Sequence, residues 1–374
     1  MQKKKIIHIH TDKKFLADSA RFECGYFENT MLVIGSNTLN ESNGIVYFER
    51  KQLKEIVDFC KDANLVVLYD LDTDKSRIAV SLPPTVKVAW RFFGYELYSR
   101  KQEVYLSNTT KEFAVDKISF VEKIKRALAN LKSILKFHTT VEGVFINSIK
   151  RMDFMLVLTL EEHEEMLKLF PFLPKAIKLS NKKQNVSASE ELEEKLNVLD
   201  KTIVLGNNKS VYNNHFDLIE IVKTSKIKNK KMFSLLMNYG TESNYSREVK
   251  KRAKEASLNL ICDFMTLDEF ESFYKKTGAL CVNGYRQMAM ANLMMGLAKG
   301  VKIYMSKKNA LYLWFVNEGF KVWTIEDFEV DIESNNMFLD LETAIHNTQV
   351  LSNLASKYSH SNFQNRILKE LKGS

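Results

Sequence analysis

A glycine-containing turn in the second half of the chain has the composition of a phosphate-binding loop. An apolar run that predicts a strand ends at this turn, and a helix-like stretch follows it. The first amides of a helix lack intrahelical partners and lie at the positive end of the helix dipole, so they can bind a diphosphate. Lys209 would add a positive charge, but a plain polar turn with Asn213 or Asn214 as the helix cap explains the pattern equally well. The candidate ligands are Gly206, Asn207, Asn208, Ser210, Asn214 and His215.

Two further strand-to-helix turns carry aromatic and cationic side chains. Tyr239 and Gly240 follow the next predicted strand, and Tyr245 lies near the start of the helix after it. These rings could stack on a base or a sugar, although rings at strand ends more often pack the rim of a core. Arg286 and Gln287 follow a third strand at a predicted helix start, where a guanidinium can bind two phosphate oxygens. The alternative for Arg286 is an ordinary surface arginine.

Acid–base side chains follow strands in the first half of the chain. His10 ends the first apolar run, Asp12 comes two residues later, and Glu96 follows another run. An imidazole or a carboxylate at the end of a strand can deprotonate a hydroxyl group of a substrate. Each of the three could equally cap a helix or form a salt bridge. We therefore predict a catalytic base among Glu96, His10 and Asp12.

Several common kinds of site are excluded by missing motifs. No GxGxxG follows the first strand, and no GxxxxGK[ST] or GxSxG occurs. Dinucleotide dehydrogenases, P-loop enzymes and α/β-hydrolases therefore lose their main support. The four cysteines are far apart and form no CxxC pair, so we expect reduced structural thiols and no metal-ligand cluster. We predict no cofactor.

Short apolar runs alternate with amphipathic segments after residue 201, which predicts βαβ units and a parallel, doubly wound sheet. The predicted strands are 202–206, 232–237, 258–264, 279–282, 301–305 and 320–325, and the predicted helices are 216–223, 245–256, 267–276, 286–299 and 310–318. The first half has a looser version of the same pattern. Its predicted strands are 5–10, 31–34, 65–71, 86–93 and 153–159, with helices at 53–63 and 120–137.

The length of the chain and one polar segment predict two domains. A chain of 374 residues is longer than one hydrophobic core usually serves. The stretch from Ser180 to Glu194 is polar and lacks aromatic residues, so it suits a linker. We predict a first domain over 1–180, a linker over 181–198, a second domain over 199–335 and a helical tail over 336–374. Two Rossmann-like domains would face a cleft at the carboxyl ends of their strands.

The charge favours an anionic partner. A formal net charge of +9 suits a phosphorylated substrate, nucleic acid or an acidic membrane surface. Basic residues lie along most of the chain with acids among them, so we predict no nucleic-acid partner. The predicted helix 120–137 carries five cationic side chains beside an apolar stripe and could rest on anionic lipid. The more common alternative is a stripe that faces the helix's own sheet.

Targeting signals are weak. The N-terminal apolar run covers only 6–9, which is too short for a signal-peptide core. No apolar run reaches the roughly 20 residues that cross a bilayer. We predict a cytoplasmic protein, with peripheral binding at the inner face of the cell membrane as an option.

Three short motifs occur in an order that resembles one bacterial family. They are GNNKSVYNNH from Gly206, NYG from Asn238 and RQ from Arg286, and WRFFGYELY in the first half resembles a fourth. The set resembles the bacterial dTDP-N-acetylfucosamine:lipid II N-acetylfucosaminyltransferases, also labelled 4-alpha-L-fucosyltransferases. That family has a glycine–asparagine–serine turn leading to asparagine–histidine, whereas here additional residues precede Ser210.

The resemblance implies a metal-independent hexosyltransferase of the GT-B architecture, with two Rossmann-like domains facing a cleft. The donor would be a nucleotide diphospho-sugar of the deoxy-amino type, with dTDP favoured. The acceptor would be a saccharide on a polyprenyl diphosphate at the inner membrane face, in the synthesis of a bacterial surface polysaccharide. The turns of the second half and Arg286 would hold the leaving diphosphate, and Glu96, His10 or Asp12 would deprotonate the acceptor hydroxyl.

Alternating carboxylates at Asp70, Asp72 and Asp74 resemble the DxD motif of the other large glycosyltransferase architecture, which binds a divalent metal. Two Rossmann-like halves do not fit that single-domain plan. An EF-hand loop is excluded because Lys75 replaces its glycine. We interpret the segment as a solvated acidic turn and predict no metal site.

Two other functions fit the same two-domain plan. A sugar-nucleotide epimerase or hydrolase would act on the donor without an acceptor. A saccharide- or nucleotide-binding module would bind the donor without turnover.

Overall fold

The computed structural model describes residues 2–35, 44–114, 120–181, 183–197 and 201–372. The chain divides into two compact units, and each unit contains its own parallel sheet. The first unit comprises Met1–Leu97, Lys117–Asn181 and Tyr358–Ser374, and the second comprises Tyr98–Asp116 and Lys182–Lys357. The prediction of two doubly wound α/β sheets is confirmed.

The sheet of the first unit has seven parallel strands in the order β3-β2-β1-β4-β5-β6-β7. A parallel sheet is covered on both faces, which explains why a central strand such as β4 is an unbroken apolar run with every residue buried. The strands are β1 (Lys4–His10), β2 (Phe27–Ile34), β3 (Ile45–Phe48), β4 (Leu65–Tyr69), β5 (Lys87–Arg91), β6 (Phe154–Val157) and β7 (Ala176–Lys178). The α-helices are Leu53–Cys60, Thr73–Ser81, Tyr95–Tyr98 at the unit's boundary, Phe120–Phe137, Val141–Arg151, Leu160–Leu169 and His360–Lys372, with a 3-10 helix at Lys13–Phe22.

The sheet of the second unit has six parallel strands in the order β10-β9-β8-β11-β12-β13. The strands are β8 (Thr202–Leu205), β9 (Phe233–Leu236), β10 (Asn259–Ile261), β11 (Thr277–Val282), β12 (Lys302–Met305) and β13 (Trp323–Thr324). The α-helices are Asn108–Lys111, Ser189–Leu196, His215–Thr224, Asn244–Glu255, Leu267–Lys276, Met290–Ala298, Ala310–Asn317, Ile325–Ser334 and Leu341–Lys357. Short 3-10 helices lie at Ser99–Tyr105, Val211–Asn213 and Lys230–Met232.

The predicted helical tail consists of two helices that pack in different units. Leu341–Lys357 belongs to the second unit, whereas His360–Lys372 belongs to the first. Phe363, Ile367 and Leu371 are buried in the first unit's core together with apolar side chains of β1, β4 and β6. The last helix therefore completes the first unit.

Part of the predicted linker is helical. The helix Ser189–Leu196 buries Leu192 against Leu339 and Ala344 of the second unit. Leu196 packs on the same cluster, and the buried Lys195 donates hydrogen bonds to the carbonyls of Tyr274 and Lys299, so this helix belongs to the second unit. Lys182 and Val198 of the predicted linker lie outside the described residues.

Candidate functional site

The carboxyl ends of three neighbouring strands lie together in the second unit. β9, β8 and β11 are adjacent, and the chain continues from β8 toward β9 but from β11 toward β12. Loops that diverge in this way open a crevice at the edge of a parallel sheet, where ligands of doubly wound folds bind. The loops that follow these strands begin at Gly206, Met237 and Asn283.

The turn after β8 needs a glycine at its first position. Gly206 has a φ of +73°, and a Cβ atom there would lie 2.5 Å from Nε2 of His215. The amide of Gly206 donates a hydrogen bond to the carbonyl of Cys281 on β11 at 2.8 Å. The turn is therefore held between the neighbouring strand and the first residue of the helix His215–Thr224.

His215 and Tyr245 are buried beneath this turn. The His215 amide donates to Oη of Tyr245 at 2.9 Å, and Nδ1 of His215 is hydrogen-bonded to the same hydroxyl at 3.0 Å. Burial lowers the pKa of His215 to about 3 and raises the pKa of Tyr245 above its usual range. Both side chains are therefore neutral, and they support the turn from within the core.

A hydrogen bond joins the turns after β8 and β9. Nδ2 of Asn207 donates to Oη of Tyr239 at 2.9 Å, and the Lys209 amide donates to the Tyr239 carbonyl at 2.9 Å. Oδ1 of the buried Asn207 has no hydrogen-bond partner within the described part of the chain. Tyr239 leaves 44% of its surface exposed, and Gly240 beside it has a φ of +101°. A half-exposed ring next to an unsatisfied amide oxygen suits a base or a sugar.

Asn208 and Ser210 shape the turn itself. Oδ1 of Asn208 accepts a hydrogen bond from the Ser210 amide at 2.8 Å and another from Nδ2 of Asn213 at 2.9 Å. Oγ of Ser210 accepts from the amide of Tyr212. Side chains that bond to nearby backbone in this way fix a turn without regular secondary structure. The predicted ligands Asn208 and Ser210 therefore already have partners inside the loop.

Asn214 connects the turns after β8 and β11. It is fully buried in the left-handed conformation, with a φ of +49°. Its Nδ2 donates to the carbonyl of Asn283 at 3.0 Å, and its Oδ1 accepts from the amide of Ser107 at 2.8 Å. Asp217 extends the network by accepting from Oγ of Ser107 at 3.1 Å and Nδ2 of Asn283 at 2.9 Å. Sequence reasoning missed Ser107, which lies about a hundred residues earlier in the chain and has no local motif.

The guanidinium of Arg286 lies close to two aromatic rings. Its guanidinium carbon is 4.9 Å from the ring centre of Tyr98 and 4.6 Å from that of Tyr212. Nη1 donates to the carbonyl of Gln287, and the buried Nε has no hydrogen-bond partner among the residues that the structure describes. The prediction that Arg286 starts a helix is wrong, because that helix spans Met290–Ala298. A guanidinium that contacts two rings and has a donor unused suits a phosphate oxygen.

A cavity of about 570 Å³ opens beside these turns, near Asn283 and Tyr285. Nζ of Lys308 lies 4.2 Å from the ring centre of Tyr285, so a cation lies close after the carboxyl end of β12. The other lining side chains are mostly charged or polar. They include Asp217, Glu220, Thr224, Ser306, Lys307, Glu326, Glu329 and Glu333. The cavity therefore lies next to the predicted donor turns, but none of the predicted donor-binding residues is among the described residues that line it.

The predicted bases of the first unit occupy three different environments. His10 is buried, stacks on Tyr69 with ring centres 3.9 Å apart and bonds through Nε2 to Oγ of Ser19 at 3.0 Å. Burial and then the nearby imidazole of the same strand lower its pKa to about 3. Asp12 is accessible, caps the 3-10 helix after β1 and pairs with Lys14 at 2.8 Å, which lowers the pKa of Asp12. A neutral buried imidazole and a paired carboxylate are both weak bases.

Glu96 differs from both, because its environment favours the protonated carboxyl group. It is buried in the short helix Tyr95–Tyr98 after β5, where Oε1 accepts hydrogen bonds from Nε1 of Trp90 and the amide of Phe93, each at 3.3 Å. Burial raises the pKa of Glu96 to about 7. A pKa close to the working pH gives the best compromise between base strength and the fraction of ionised carboxylate.

The carboxylates after β4 surround a buried lysine. Nζ of Lys75 donates to Asp70 at 2.5 Å, to Asp72 at 3.1 Å and to Oγ1 of Thr11 at 2.9 Å. Asp70 has a φ of +65° and is buried, and burial raises its pKa. The interpretation of this segment as a solvated turn is therefore wrong. A lysine ammonium lies where two carboxylates converge, at the edge of the sheet where the chain leads from β1 toward β2 but from β4 toward β5.

Comparisons with known proteins identify the fold of the chain. No protein-family model matches the chain, and no curated protein matches it either. Solved structures match it along nearly its whole length. Sucrose-phosphate synthase from Thermosynechococcus elongatus is 10% identical with a TM-score of 0.63, covering 99% of each chain. HepE of Anabaena, in complex with UDP and glucose, is 9% identical with a TM-score of 0.64, covering 99% of this chain and 100% of its own.

A third similar structure is a trehalose-phosphate synthase from Burkholderia xenovorans, which is 6% identical with a TM-score of 0.63 over 99% of each chain. The fold is GT-B. This confirms the predicted architecture, since the GT-B fold has a doubly wound parallel sheet in each of its two domains, as the two units do. Within the described residues, no helix is long and apolar enough to cross a membrane.

Proposed function

We propose that the chain is a glycosyltransferase that takes a sugar from a nucleotide diphosphate donor. The observation that carries this proposal is the connection of three turns at one edge of the second sheet. Asn207 bonds to Tyr239, Asn214 bonds to Asn283, and Arg286 lies three residues further on. This edge of a doubly wound sheet is where nucleotides bind in such folds. Several structures with the same fold were solved with UDP or a UDP-sugar.

Arg286 is our candidate for binding the diphosphate. The rings of Tyr98 and Tyr212 contact its guanidinium and restrict its movement, so less conformational entropy is lost when it binds phosphate oxygens. The exposed ring of Tyr239 and the free Oδ1 of Asn207 would contact the base or the sugar. The resemblance of the motifs to N-acetylfucosaminyltransferases supports a deoxy-amino sugar and dTDP as the preferred nucleotide.

Glu96 is our first choice of base, ahead of His10 and Asp12, because its pKa lies near 7. The acceptor hydroxyl oxygen would form a bond to the anomeric carbon while its proton passes to the carboxylate. The bond between the anomeric carbon and the diphosphate oxygen breaks, and the nucleoside diphosphate leaves with the electron pair. Arg286 would neutralise the charge that develops on this leaving group.

The acceptor in this proposal is a saccharide on a polyprenyl diphosphate. The resemblance supports this choice, and so does the net charge of +9, because both the acceptor and the membrane that carries it are anionic. We place the enzyme in the cytoplasm, at the inner membrane face.

We expect transfer without a divalent metal. Lys75 already neutralises Asp70 and Asp72, the carboxylates that would otherwise hold the ion. Turnover should therefore survive EDTA. Activity that EDTA abolishes and only a divalent ion restores would contradict this expectation.

The decisive experiment is a thermal-shift screen of the purified chain against dTDP, UDP, GDP and their sugars, followed by a transfer assay with the nucleotide sugar that stabilises most. Stabilisation by one nucleotide and a product only when acceptor is present would support the proposal. Release of sugar without acceptor would indicate the hydrolase or epimerase. Binding with no turnover on any lipid-linked acceptor would indicate a binding module.

A further inference from the structure

The helix Phe120–Phe137 presents its large apolar side chains to solvent. Phe120 and Leu135, near its two ends, leave 76% and 75% of their surfaces exposed. The residue that it buries is Ser133, and Oδ1 of Asn130 accepts a hydrogen bond from the Val141 amide at 3.1 Å. The large apolar side chains that it exposes are Phe120, Val121, Ile124, Leu128, Leu131, Ile134 and Leu135.

The exposed side chains form one continuous stripe. At about 100° per residue, they fall within an arc of roughly 140° whose centre is opposite Ser133. The stripe runs from Phe120 to Leu135, so it is about 23 Å long. An amphipathic helix on a globular protein normally turns such a stripe toward its own core. Here the stripe is exposed and the buried residue is Ser133, so the alternative in which the stripe packs on its own sheet is wrong.

Cationic side chains border the stripe. Lys125, Lys132 and Lys136 follow one edge of it, and Lys123 lies near the other, by the same helical geometry. The one carboxylate of this helix, Glu122, is on the opposite half, where it pairs with Arg126 at 3.6 Å. The apolar stripe is therefore flanked by positive charge.

A basic cavity adjoins the end of the stripe. It has a volume of about 220 Å³, and its apolar walls are formed by Ile34, Leu53, Ile56, Ile78 and Phe137. Of the described residues that line it, five are basic and one, Asp74, is acidic. The basic residues are Arg50, Lys51, Arg77, Lys132 and Lys136. Asp74 is shared between Arg50 at 3.4 Å and Arg77 at 3.8 Å, so positive charge remains in excess.

We infer that this surface docks the protein on a bilayer that contains anionic phospholipid. The stripe enters the boundary between headgroups and acyl chains, and the bordering lysines and the basic cavity contact lipid phosphates. A second copy of the chain is a poorer occupant, because two such faces would bring their lysine borders together and repel. The inference deepens the proposed function and rests on it only for the acceptor, which would lie in the same membrane.

The test is flotation of the full chain with vesicles, without donor or acceptor. One set contains phosphatidylcholine alone and the other phosphatidylcholine mixed with phosphatidylglycerol. We expect binding to the anionic vesicles that added salt weakens. The double variant L128Q/L135Q should reduce binding roughly tenfold or more, and K132Q/K136Q should reduce it on anionic vesicles. The matched controls are L267Q and K223Q, on exposed helix positions of the second unit.

Equal binding of wild type and L128Q/L135Q would overturn the inference, as would equal binding to both kinds of vesicle. Sedimentation velocity provides a third check, because a dimer that dissociates in L128Q/L135Q would assign the stripe to a second copy of the chain. Thermal melting must show that the variants fold as the wild type does. Nucleotide binding by L128Q/L135Q separates the two proposals, since it should persist even where vesicle binding is lost.

Discussion

The imidazole of His215 fills the space that any side chain at Gly206 would need. Nε2 lies 2.5 Å from the position of a Cβ atom, and the φ of +73° is itself unfavourable for other residues. Because His215 is buried and fixed by Tyr245, it cannot move aside without breaking that hydrogen bond. His215, the first residue of the next helix, therefore restricts the conformation of the loop after β8.

Replacing Gly206 by alanine should destabilise the protein by about 2 kcal/mol, because the left-handed backbone and the clash both oppose it. The measurement is the free energy of unfolding from urea titration. Gly25→Ala is the matched control, since a Cβ atom there meets nothing within 4 Å. A loss no larger than that of the control would show that the turn adapts.

Replacing Arg286 by lysine should weaken nucleotide binding roughly tenfold or more, although the charge is kept. Lysine lacks the planar fork and cannot make the same contacts with the rings of Tyr98 and Tyr212. Titration calorimetry with the nucleotide from the thermal-shift screen measures the effect. Arg247→Lys, on an exposed helix surface of the same unit, is the control. Unchanged affinity in Arg286→Lys would remove this residue from the proposed diphosphate site.

The transfer rate should rise with pH through an inflection near 7 if Glu96 is the base. Its raised pKa of about 7 means that the carboxylate, the form that accepts a proton, becomes the major species only above that pH. Glu96→Gln should lower kcat by roughly 10²–10⁴ while nucleotide affinity is unchanged. The profile of kcat/KM against pH tests this, and an inflection that persists in Glu96→Gln would assign the titration to another group.

Removing the buried ammonium of Lys75 should cost roughly 3–5 kcal/mol of stability, because Asp70 and Asp72 would face one another without a counter-ion. Lys75→Met retains most of the side-chain volume and isolates the charge effect. Thermal melting of Lys75→Met and of the triple variant D70N/D72N/K75M measures it. The triple variant should recover part of the loss, and equal destabilisation of both would point to packing instead of charge.

Most strands could be predicted because a buried parallel strand leaves a readable apolar run, whereas the short strands β3 and β7 at the two edges of the first sheet were not predicted. β8, β9 and β11 lie within a few residues of the predicted runs. Helices whose apolar spacing is interrupted by charge, such as Thr73–Ser81 and Leu160–Leu169, were not predicted. The start of the helix after Arg286 was missed because Ala289 adopts a left-handed conformation, which no alanine signals in a sequence.

Contacts between residues that are far apart in the sequence explain why some residues of the site could not be predicted. Three turns could be located because each directly follows a strand. The partners that hold them, such as Ser107 for Asn214 and Tyr98 for Arg286, come from a segment far away in the chain. The buried ion pair of Lys75, in contrast, is indicated by a pattern in the local sequence. Asp72 caps the helix Thr73–Ser81, and capping turns the third helical residue back toward the cap.

The return of the last helix to the first sheet has a consequence for biosynthesis. Phe363, Ile367 and Leu371 complete a core whose other members begin at Ile6. On the ribosome, every described part of the second unit emerges before this helix does. The strands of the first unit are therefore synthesised first, but part of its apolar core stays uncovered until synthesis reaches residue 371. A product that ends shortly after Lys357 would retain the whole second unit, while its first unit would expose this apolar surface and be prone to aggregate.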